Sequence, residues 1–159
     1  MKREVVLLID ADADMASVVG SAAALINFDV RFATTSRDLF RLIQSGLPDV
    51  ASIVLDVDPG VHGMAALEAL DAWGPAPPVI VVSSLEEAHL HSVAIAHGAK
   101  DCLGKPVSLA RLKTAIAKFA HLAEPQGCRC DAWGHPCADC TKRCGAPNER
   151  ELASFAEEY

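Results

Sequence analysis

Short apolar runs of strand length recur along the chain, and several of them end on a polar residue or a turn signal. The runs 5–9 and 79–82 are continuously apolar, which is typical of strands that are buried on both faces of a sheet. A third run begins at Ser52, is apolar over 53–55 and ends on Asp56, and Pro59-Gly60 then turns the chain. In chain order, the pattern predicts strands over 5–9, 30–33, 52–56, 79–82 and 101–103.

Between these strands, apolar residues recur at the three-and-four spacing of an amphipathic helix. The first helix follows an acidic cluster over 10–14 that can supply its N-cap, and Asn27 is a plausible end. Ser36 is expected to cap the second helix, which Gly46 and Pro48 end; further helices are expected over 64–70, over about 86–97 and from Ser108 onward. Five strand–helix pairs with short links predict an α/β fold with an open, doubly wound parallel sheet.

Composition and charge narrow the class of protein. The chain has 159 residues, of which 51% are hydrophobic and only 5% aromatic, as suits aliphatic strands and Ala-rich helices. The net charge is −7 and there is no run of Lys or Arg, so we expect no nucleic-acid partner. No apolar stretch reaches transmembrane length and the N-terminus does not resemble a signal peptide, so we expect no membrane and a cytoplasmic location.

Polar side chains of particular types stand at the carboxyl ends of four predicted strands: Asp10, Asp56, Ser83 and Lys105. In open parallel sheets, ligands bind beyond these strand ends. Two carboxylates can hold Mg²⁺, while a lysine and a hydroxyl can hold phosphoryl oxygens and a central carboxylate can act as nucleophile. The residues therefore predict a magnesium-dependent phosphoryl site, although Asp56 alone would also be explained as a turn or capping residue.

Residues 4 to about 122 resemble the receiver domain of two-component response regulators. The resemblance rests on an ordered set of motifs: Leu8-Ile-Asp10, Val54-Leu-Asp56 with Pro59-Gly-Val-His-Gly63, Pro78-Val-Ile-Val-Val-Ser83, and Gly98-Ala-Lys-Asp-Cys-Leu-Gly-Lys-Pro106. It implies strand order 2-1-3-4-5 and Asp56 as the phosphoacceptor. It also implies that Ser83 and Lys105 contact the phosphoryl group, that the Lys105–Pro106 bond is cis, and that Mg²⁺ is held by Asp10, Asp56 and Asp58, the last normally through its backbone carbonyl.

Three departures from the family pattern mark the domain as partly degenerate. Receiver domains usually carry two adjacent acids after the first strand, and the second of these positions is Ala11 here. Pro59 follows Asp56 after three positions rather than four, and Cys102 replaces the aromatic residue at the family's switch position. Because Mg²⁺ retains several waters, the missing acid weakens the metal site without removing it, and Asp12 or Asp58 is a candidate replacement.

A second resemblance, to the haloacid-dehalogenase phosphohydrolases, rests on Asp56-Val-Asp58, the following Ser83 and then Lys105. Those enzymes also need an acidic pair downstream of the lysine, and no such pair stands on a strand end here. Pro59-Gly60 moreover replaces the expected Gly-Thr. We therefore expect that the chain is not an enzyme.

The composition changes beyond Glu124-Pro125, so we predict a receiver domain over 1–123 and a cysteine-rich tail over 124–159 that ends in a short helix. Five cysteines crowd into this tail, which in a cytoplasmic protein favours metal over disulfides. Zn²⁺ is the first candidate, an iron–sulfur cluster the second, and a reactive unliganded segment the third. The candidate ligands are Cys128, Cys130, Cys137, Cys140 and Cys144, with His135 as a spare.

These observations predict a receiver that accepts a phosphoryl group on Asp56 within a phosphorelay and signals by protein contact. The resemblance implies a sensor histidine kinase or phosphotransfer protein as donor. The downstream protein is unknown, and a homodimer is kept as an alternative assembly. The competing hypothesis is a phosphorylation-independent interaction module whose tail binds metal or senses redox state.

Overall fold

Five parallel strands form a single sheet at the centre of the protein, in the order β2-β1-β3-β4-β5. The computed structural model describes residues 3–47, 49–58, 63–74, 76–85 and 87–120. Each strand pairs in parallel with its neighbours, as short links through helices require. The predicted doubly wound parallel sheet and its strand order are therefore confirmed. The strands are β1 Val5–Ile9, β2 Asp29–Ala33, β3 Val50–Asp56, β4 Val79–Ser83 and β5 Asp101–Gly104.

A helix follows each strand and returns the chain to the opposite end of the sheet. The helices are α1 Ala13–Leu25, α2 Ser36–Gln44, α3 Gly63–Trp73, α4 Glu87–Ala96 and α5 Leu109–Ala120. Asp12 caps α1, because its side chain accepts a hydrogen bond from the Asp14 N–H. Asn27 adopts a φ of 62° just after this helix, the left-handed conformation that often ends a helix.

The sheet buries both faces, and alternate residues of each strand enter different hydrophobic clusters. In β1, Val5, Leu7 and Ile9 join the cluster shared with α2, α3 and α4, while Val6 and Leu8 join the one shared with α1 and α5. This alternation follows from the two-residue repeat of a strand. Helices on both faces explain why β1, β3 and β4 read as continuous apolar runs.

Some element boundaries differ from the sequence prediction. Thr35 caps α2 in place of Ser36, because the Thr35 hydroxyl accepts the Asp38 N–H at 3.2 Å and donates to the Asp38 carboxylate at 2.7 Å. Helix α3 runs on to Trp73, which is buried in the cluster with α2 and α4. Among the described residues, every helix is too short or too polar to cross a membrane.

Candidate phosphoryl site

The predicted site residues converge because they follow strands that run in the same direction. Asp10 follows β1, Asp56 ends β3, Ser83 ends β4 and Lys105 follows β5. The backbone joins neighbouring strand ends directly: the Val57 N–H donates to Val82 O at 3.1 Å, and the Lys105 N–H donates to Ser83 O at 2.7 Å. The carboxyl edge of the sheet therefore holds all four side chains in one region.

Lys105 is the cation of this site. Its ammonium donates to Asp56 Oδ2 at 2.9 Å and to Asp58 Oδ2 at 3.0 Å, and it lies 4.0 Å from Asp10 Oδ2. Burial alone would lower the pKa of Lys105, but hydrogen bonds to the two carboxylates outweigh burial and raise the pKa. Lys105 thus stays protonated, and its bond to Pro106 is cis as the family resemblance predicted.

Asp10 places a buried carboxylate beside this cation. Its Oδ1 accepts the Asp12 N–H at 2.8 Å, whereas its Oδ2 is buried without a hydrogen-bond partner among the described residues. Burial raises the pKa of Asp10, and the neighbouring charge of Asp56 acts in the same direction. A buried carboxylate oxygen without a donor, close to a second carboxylate, is the kind of environment that a hard divalent cation would satisfy.

The residues of the acidic pocket fit Mg²⁺ only in part. Ala11 is exposed and offers no oxygen from its side chain, and Asp12 uses one carboxylate oxygen to cap α1. In the described part of the chain, no three His, Cys, Asp or Glu side chains come together in an arrangement that could hold a metal ion. Asp10 and Asp56 thus remain the two buried carboxylates available to a water-rich Mg²⁺ site.

Asp58 is the residue whose position the sequence analysis did not foresee. Its backbone N–H donates to Asp56 Oδ1 at 2.9 Å, but its side chain turns back into the site. Asp58 Oδ1 accepts the Ser83 hydroxyl at 2.5 Å and the Ser84 N–H at 2.6 Å, while Oδ2 accepts Lys105. Burial would raise the pKa of Asp58, but the hydrogen bonds from Ser83, Ser84 and Lys105 lower it to about 2.

The alternation of side chains contained a signal for this arrangement. Residues two apart in an extended segment project to the same side, so the spacing of Asp56 and Asp58 is compatible with neighbouring carboxylates, although Asp58 lies beyond the end of β3. The Ser84 N–H was missed altogether, because a backbone donor leaves no trace in the residue pattern. The metal role predicted for Asp58 remains a prediction, and its side chain instead contacts the hydroxyl and the ammonium.

Cys102, predicted at the switch position, lies on β5 opposite Val81 and is 2% exposed. It belongs to the same cluster as Leu90 and Ala94 of α4. The tail lies outside the described residues, and so do the predicted metal ligands Cys128, Cys130, Cys137, Cys140 and Cys144, the zinc or iron–sulfur site and the domain boundary after residue 123. Those assignments stay predictions, as does the short loop from Pro59.

Comparison with known proteins identifies the family. A model of the response regulator receiver domain matches residues 6–117. A protein-glutamate methylesterase/protein-glutamine glutaminase of Caulobacter vibrioides is 30% identical over 146 residues, which are 87% of this chain and 42% of that protein. The regulatory protein LuxO of Vibrio vulnificus is 27% identical over 110 residues, which are 69% of this chain and 24% of that protein. The chain thus spans less than half the length of these curated relatives.

Solved structures show the same fold at low sequence identity. A response regulator from Thermotoga maritima superposes with a TM-score of 0.67 at 20% identity, over 76% of this chain and 99% of that chain. A CheY-like receiver domain from Methanospirillum hungatei gives a TM-score of 0.67 at 19% identity, over 79% of this chain and 100% of that chain. With its strand order, its carboxyl-edge site and the match over 6–117, the chain belongs to the response regulator receiver domain family.

Proposed function

We propose that this protein is a phosphoacceptor of two-component signalling, in which Asp56 receives a phosphoryl group from a sensor histidine kinase or a phosphotransfer protein. The observation that carries the proposal is the 2.9 Å contact between the Lys105 ammonium and Asp56 Oδ2, in a site that also contains the Ser83 hydroxyl. A buried carboxylate held by a cation and flanked by hydrogen-bond donors is suited to nucleophilic attack on phosphorus.

The reaction balances with the residues at hand. An oxygen of the Asp56 carboxylate attacks the phosphorus of a phosphohistidine, so that an O–P bond forms and the P–N bond breaks. The imidazole nitrogen leaves with the electron pair. Lys105, Ser83 and the Ser84 N–H are the donors available to the phosphoryl oxygens as the group is transferred.

Mg²⁺ is the cofactor implied by the family. The residues proposed to hold it are Asp10 and Asp56 through their carboxylates and Asp58 through its backbone carbonyl. The buried and unpaired Oδ2 of Asp10 supports this assignment. When bound, Mg²⁺ would neutralise charge on the carboxylates and on the phosphoryl oxygens. Since Ala11 supplies no carboxylate, we expect this chain to require more Mg²⁺ than a receiver that has both acids.

Incubation with acetyl phosphate and Mg²⁺ tests the proposal without knowledge of the kinase. We expect a covalent phosphoryl adduct in the intact-mass spectrum of the full chain, and we expect Asp56→Asn to abolish it. Asp29→Asn is a matched control, because it also neutralises one carboxylate but lies at the other end of the sheet, exposed and paired with Arg3. Absence of an adduct under conditions that label an ordinary receiver would overturn the proposal.

Output through protein contact, rather than catalysis by this chain, completes the proposal. The match to the methylesterase covers 87% of this chain but only 42% of that protein's length, so it supports a family relationship without implying that reaction here. The downstream partner, a homodimer and the cytoplasmic location remain predictions.

A second candidate function is an interaction module that works without phosphorylation. Two observations favour it: Ala11 stands at the second acidic position, and the Asp58 carboxylate already holds the donors that a phosphoryl group would use. This candidate would be favoured if neither Asp56→Asn nor acetyl phosphate changed the affinity of the protein for its downstream partner. The proposed metal or redox role of the tail is a separate matter, decided by elemental analysis of the freshly purified full chain.

A further inference from the structure

Three hydrogen-bond donors converge on one small region at the carboxyl ends of β4 and β5. They are the Ser83 hydroxyl, the Ser84 backbone N–H and the Lys105 ammonium, which we call the donor cradle. The Asp58 carboxylate accepts from all three, at 2.5, 2.6 and 3.0 Å. A hydroxyl, a backbone amide and an ammonium aimed at two oxygens form a site for an oxyanion. In this structure the oxyanion belongs to the protein itself.

The hydrogen bonds between the donor cradle and Asp58 involve the whole carboxylate. Asp58 Oδ1 takes two donors and Oδ2 takes the third, so both oxygens are engaged. The Ser83 oxygen also accepts the Leu85 N–H at 3.0 Å, which fixes the direction in which its proton points. Charge-assisted bonds of this length are among the stronger ones in proteins, and they hold the Asp58 side chain in place.

A phosphoryl group on Asp56 would have to use the same donors. The Lys105 ammonium touches Asp56 Oδ2 and Asp58 Oδ2 at once, so the two carboxylates lie side by side on the cradle. A group attached to Asp56 would therefore enter the space and the hydrogen bonds that the Asp58 carboxylate holds. The negative charge of Asp58 would also repel it.

We propose that Asp58 is an internal competitor that occupies the donor cradle and must withdraw before an external oxyanion can bind there. This inference rests on the proposed function, because the natural oxyanion would be the phosphoryl group on Asp56. The Asp58 side chain has somewhere to go, because it is 19% exposed and lies in a loop rather than in β3. Its backbone would remain anchored through the Asp58 N–H on Asp56 and the neighbouring Val57 N–H on Val82.

Binding of inorganic phosphate to the full chain tests the competition without any covalent chemistry. All proteins in this arm carry Asp56→Asn, so no adduct forms, and the Ser84 amide signal in the ¹H–¹⁵N spectrum reports occupancy of the cradle. Removal of one competing charge-assisted acceptor in Asp58→Ala is expected to tighten phosphate binding by about tenfold or more. Asp58→Asn, which keeps the shape and loses the charge, should tighten it in the same direction.

Asp29→Asn supplies the control, since it changes the net charge equally at an exposed position away from the cradle. Its phosphate affinity should match that of the parent. The proposal is overturned if Asp58→Ala and Asp58→Asn both bind phosphate within about twofold of the parent, a difference too small for a lost competitor. Circular dichroism confirms folding, and if Asp58→Ala does not fold, the isosteric Asp58→Asn decides.

A second arm separates this inference from the proposed function. With Asp56 intact, acetyl phosphate should label Asp58→Ala faster than it labels the unaltered chain. If no protein is labelled while the phosphate affinities differ as expected, the proposed function fails and the competition stands. If labelling occurs but phosphate binds the Asp58 variants no more tightly than the parent, the competition fails and the function stands.

Discussion

Gly63 lies against the backbone of Asp56 so closely that a side chain at this position has no room. A Cβ built on Gly63 would come within 1.9 Å of the Asp56 carbonyl oxygen and 2.6 Å of the Val57 Cα. Both atoms belong to the backbone that carries the proposed phosphoacceptor. Helix α3 therefore begins in direct contact with the end of β3, and glycine is the residue that permits this approach.

We expect Gly63→Ala to destabilise the fold by about 1–3 kcal/mol, the usual cost of forcing a methyl group into a packed site. Gly20→Ala is the matched control, because Gly20 lies inside α1 with nothing within 4 Å of the added Cβ. There alanine should stabilise by about 0.5–1 kcal/mol through its helix propensity. Urea denaturation measures the free energy of unfolding of both variants. Equal changes at the two glycines would contradict the close contact between Gly63 and the Asp56 backbone.

Ser83 and Ser52 form a second informative pair, since both are fully buried and only one hydroxyl has partners. The Ser83 hydroxyl donates to Asp58 and accepts from the Leu85 N–H, whereas the Ser52 hydroxyl has no hydrogen-bond partner in the described part of the chain. Ser83→Ala should cost about 1–3 kcal/mol, because it removes a hydrogen bond to the charged Asp58 carboxylate and the acceptor of the Leu85 N–H. Ser52→Ala should be neutral or stabilising. Urea denaturation measures both variants. If Ser52→Ala lowered the free energy of unfolding as much as Ser83→Ala, these assignments would be contradicted.

Restoring the missing acid is expected to strengthen the magnesium site. Ala11→Asp places a carboxylate beside Asp10, and one additional charge about 4 Å from a divalent cation in water contributes roughly 2 kcal/mol, or about thirtyfold in affinity. Titration of the full chain with Mg²⁺, followed by thermal shift, measures the change. Asp12→Asn should leave the affinity unchanged, because Asp12 caps α1 and asparagine caps equally well. Weaker binding in Asp12→Asn would instead identify Asp12 as the replacement ligand.

Neutralising Asp10 is expected to have opposite effects on stability and on metal binding. Its Oδ2 is buried without a hydrogen-bond donor among the described residues, and the charge of Asp56 lies nearby. Lys105, 4.0 Å away, offsets these effects only in part, so the carboxylate is costly while no Mg²⁺ is bound. Asp10→Asn should raise the Tm in the absence of Mg²⁺ by roughly 2–4 °C. The same variant should gain less Tm on addition of Mg²⁺ than the unaltered chain does. A fall in Tm without metal would show that the charge is already compensated.

The strand pattern could be read from sequence because strands buried on both faces are apolar, and the strand-end residues because parallel strands end at the same edge of the sheet. Apolar runs predicted β1, β3 and β4, and the weaker stretches 30–33 and 101–103 predicted β2 and β5. Parallel strands then bring Asp10, Asp56, Ser83 and Lys105 to one edge. Helix ends were less accurate: Ser36 was expected to cap α2, but Thr35 does so, because Asp38 stands three residues after Thr35 at the spacing of a capping box. The two-residue spacing from Asp56 could indicate the side to which Asp58 points. Its hydrogen bonds with Ser83, Ser84 and Lys105 depend on the meeting of β3, β4 and β5 in three dimensions, which no local pattern expresses.

The hydrogen bond from the Leu85 N–H to the Ser83 hydroxyl connects the site to the protein surface. Ser83 is completely buried, yet Leu85, two residues later, is 45% exposed. When the acceptor of the Ser83 proton changes, the hydroxyl reorients, and any movement of its oxygen acts on the Leu85 N–H that bonds to it. Cys102 carries no aromatic ring that could rotate outward. The hydrogen bond between Ser83 and Leu85 instead connects the buried site to an exposed residue, so that binding at the site would change the surface that a partner protein contacts.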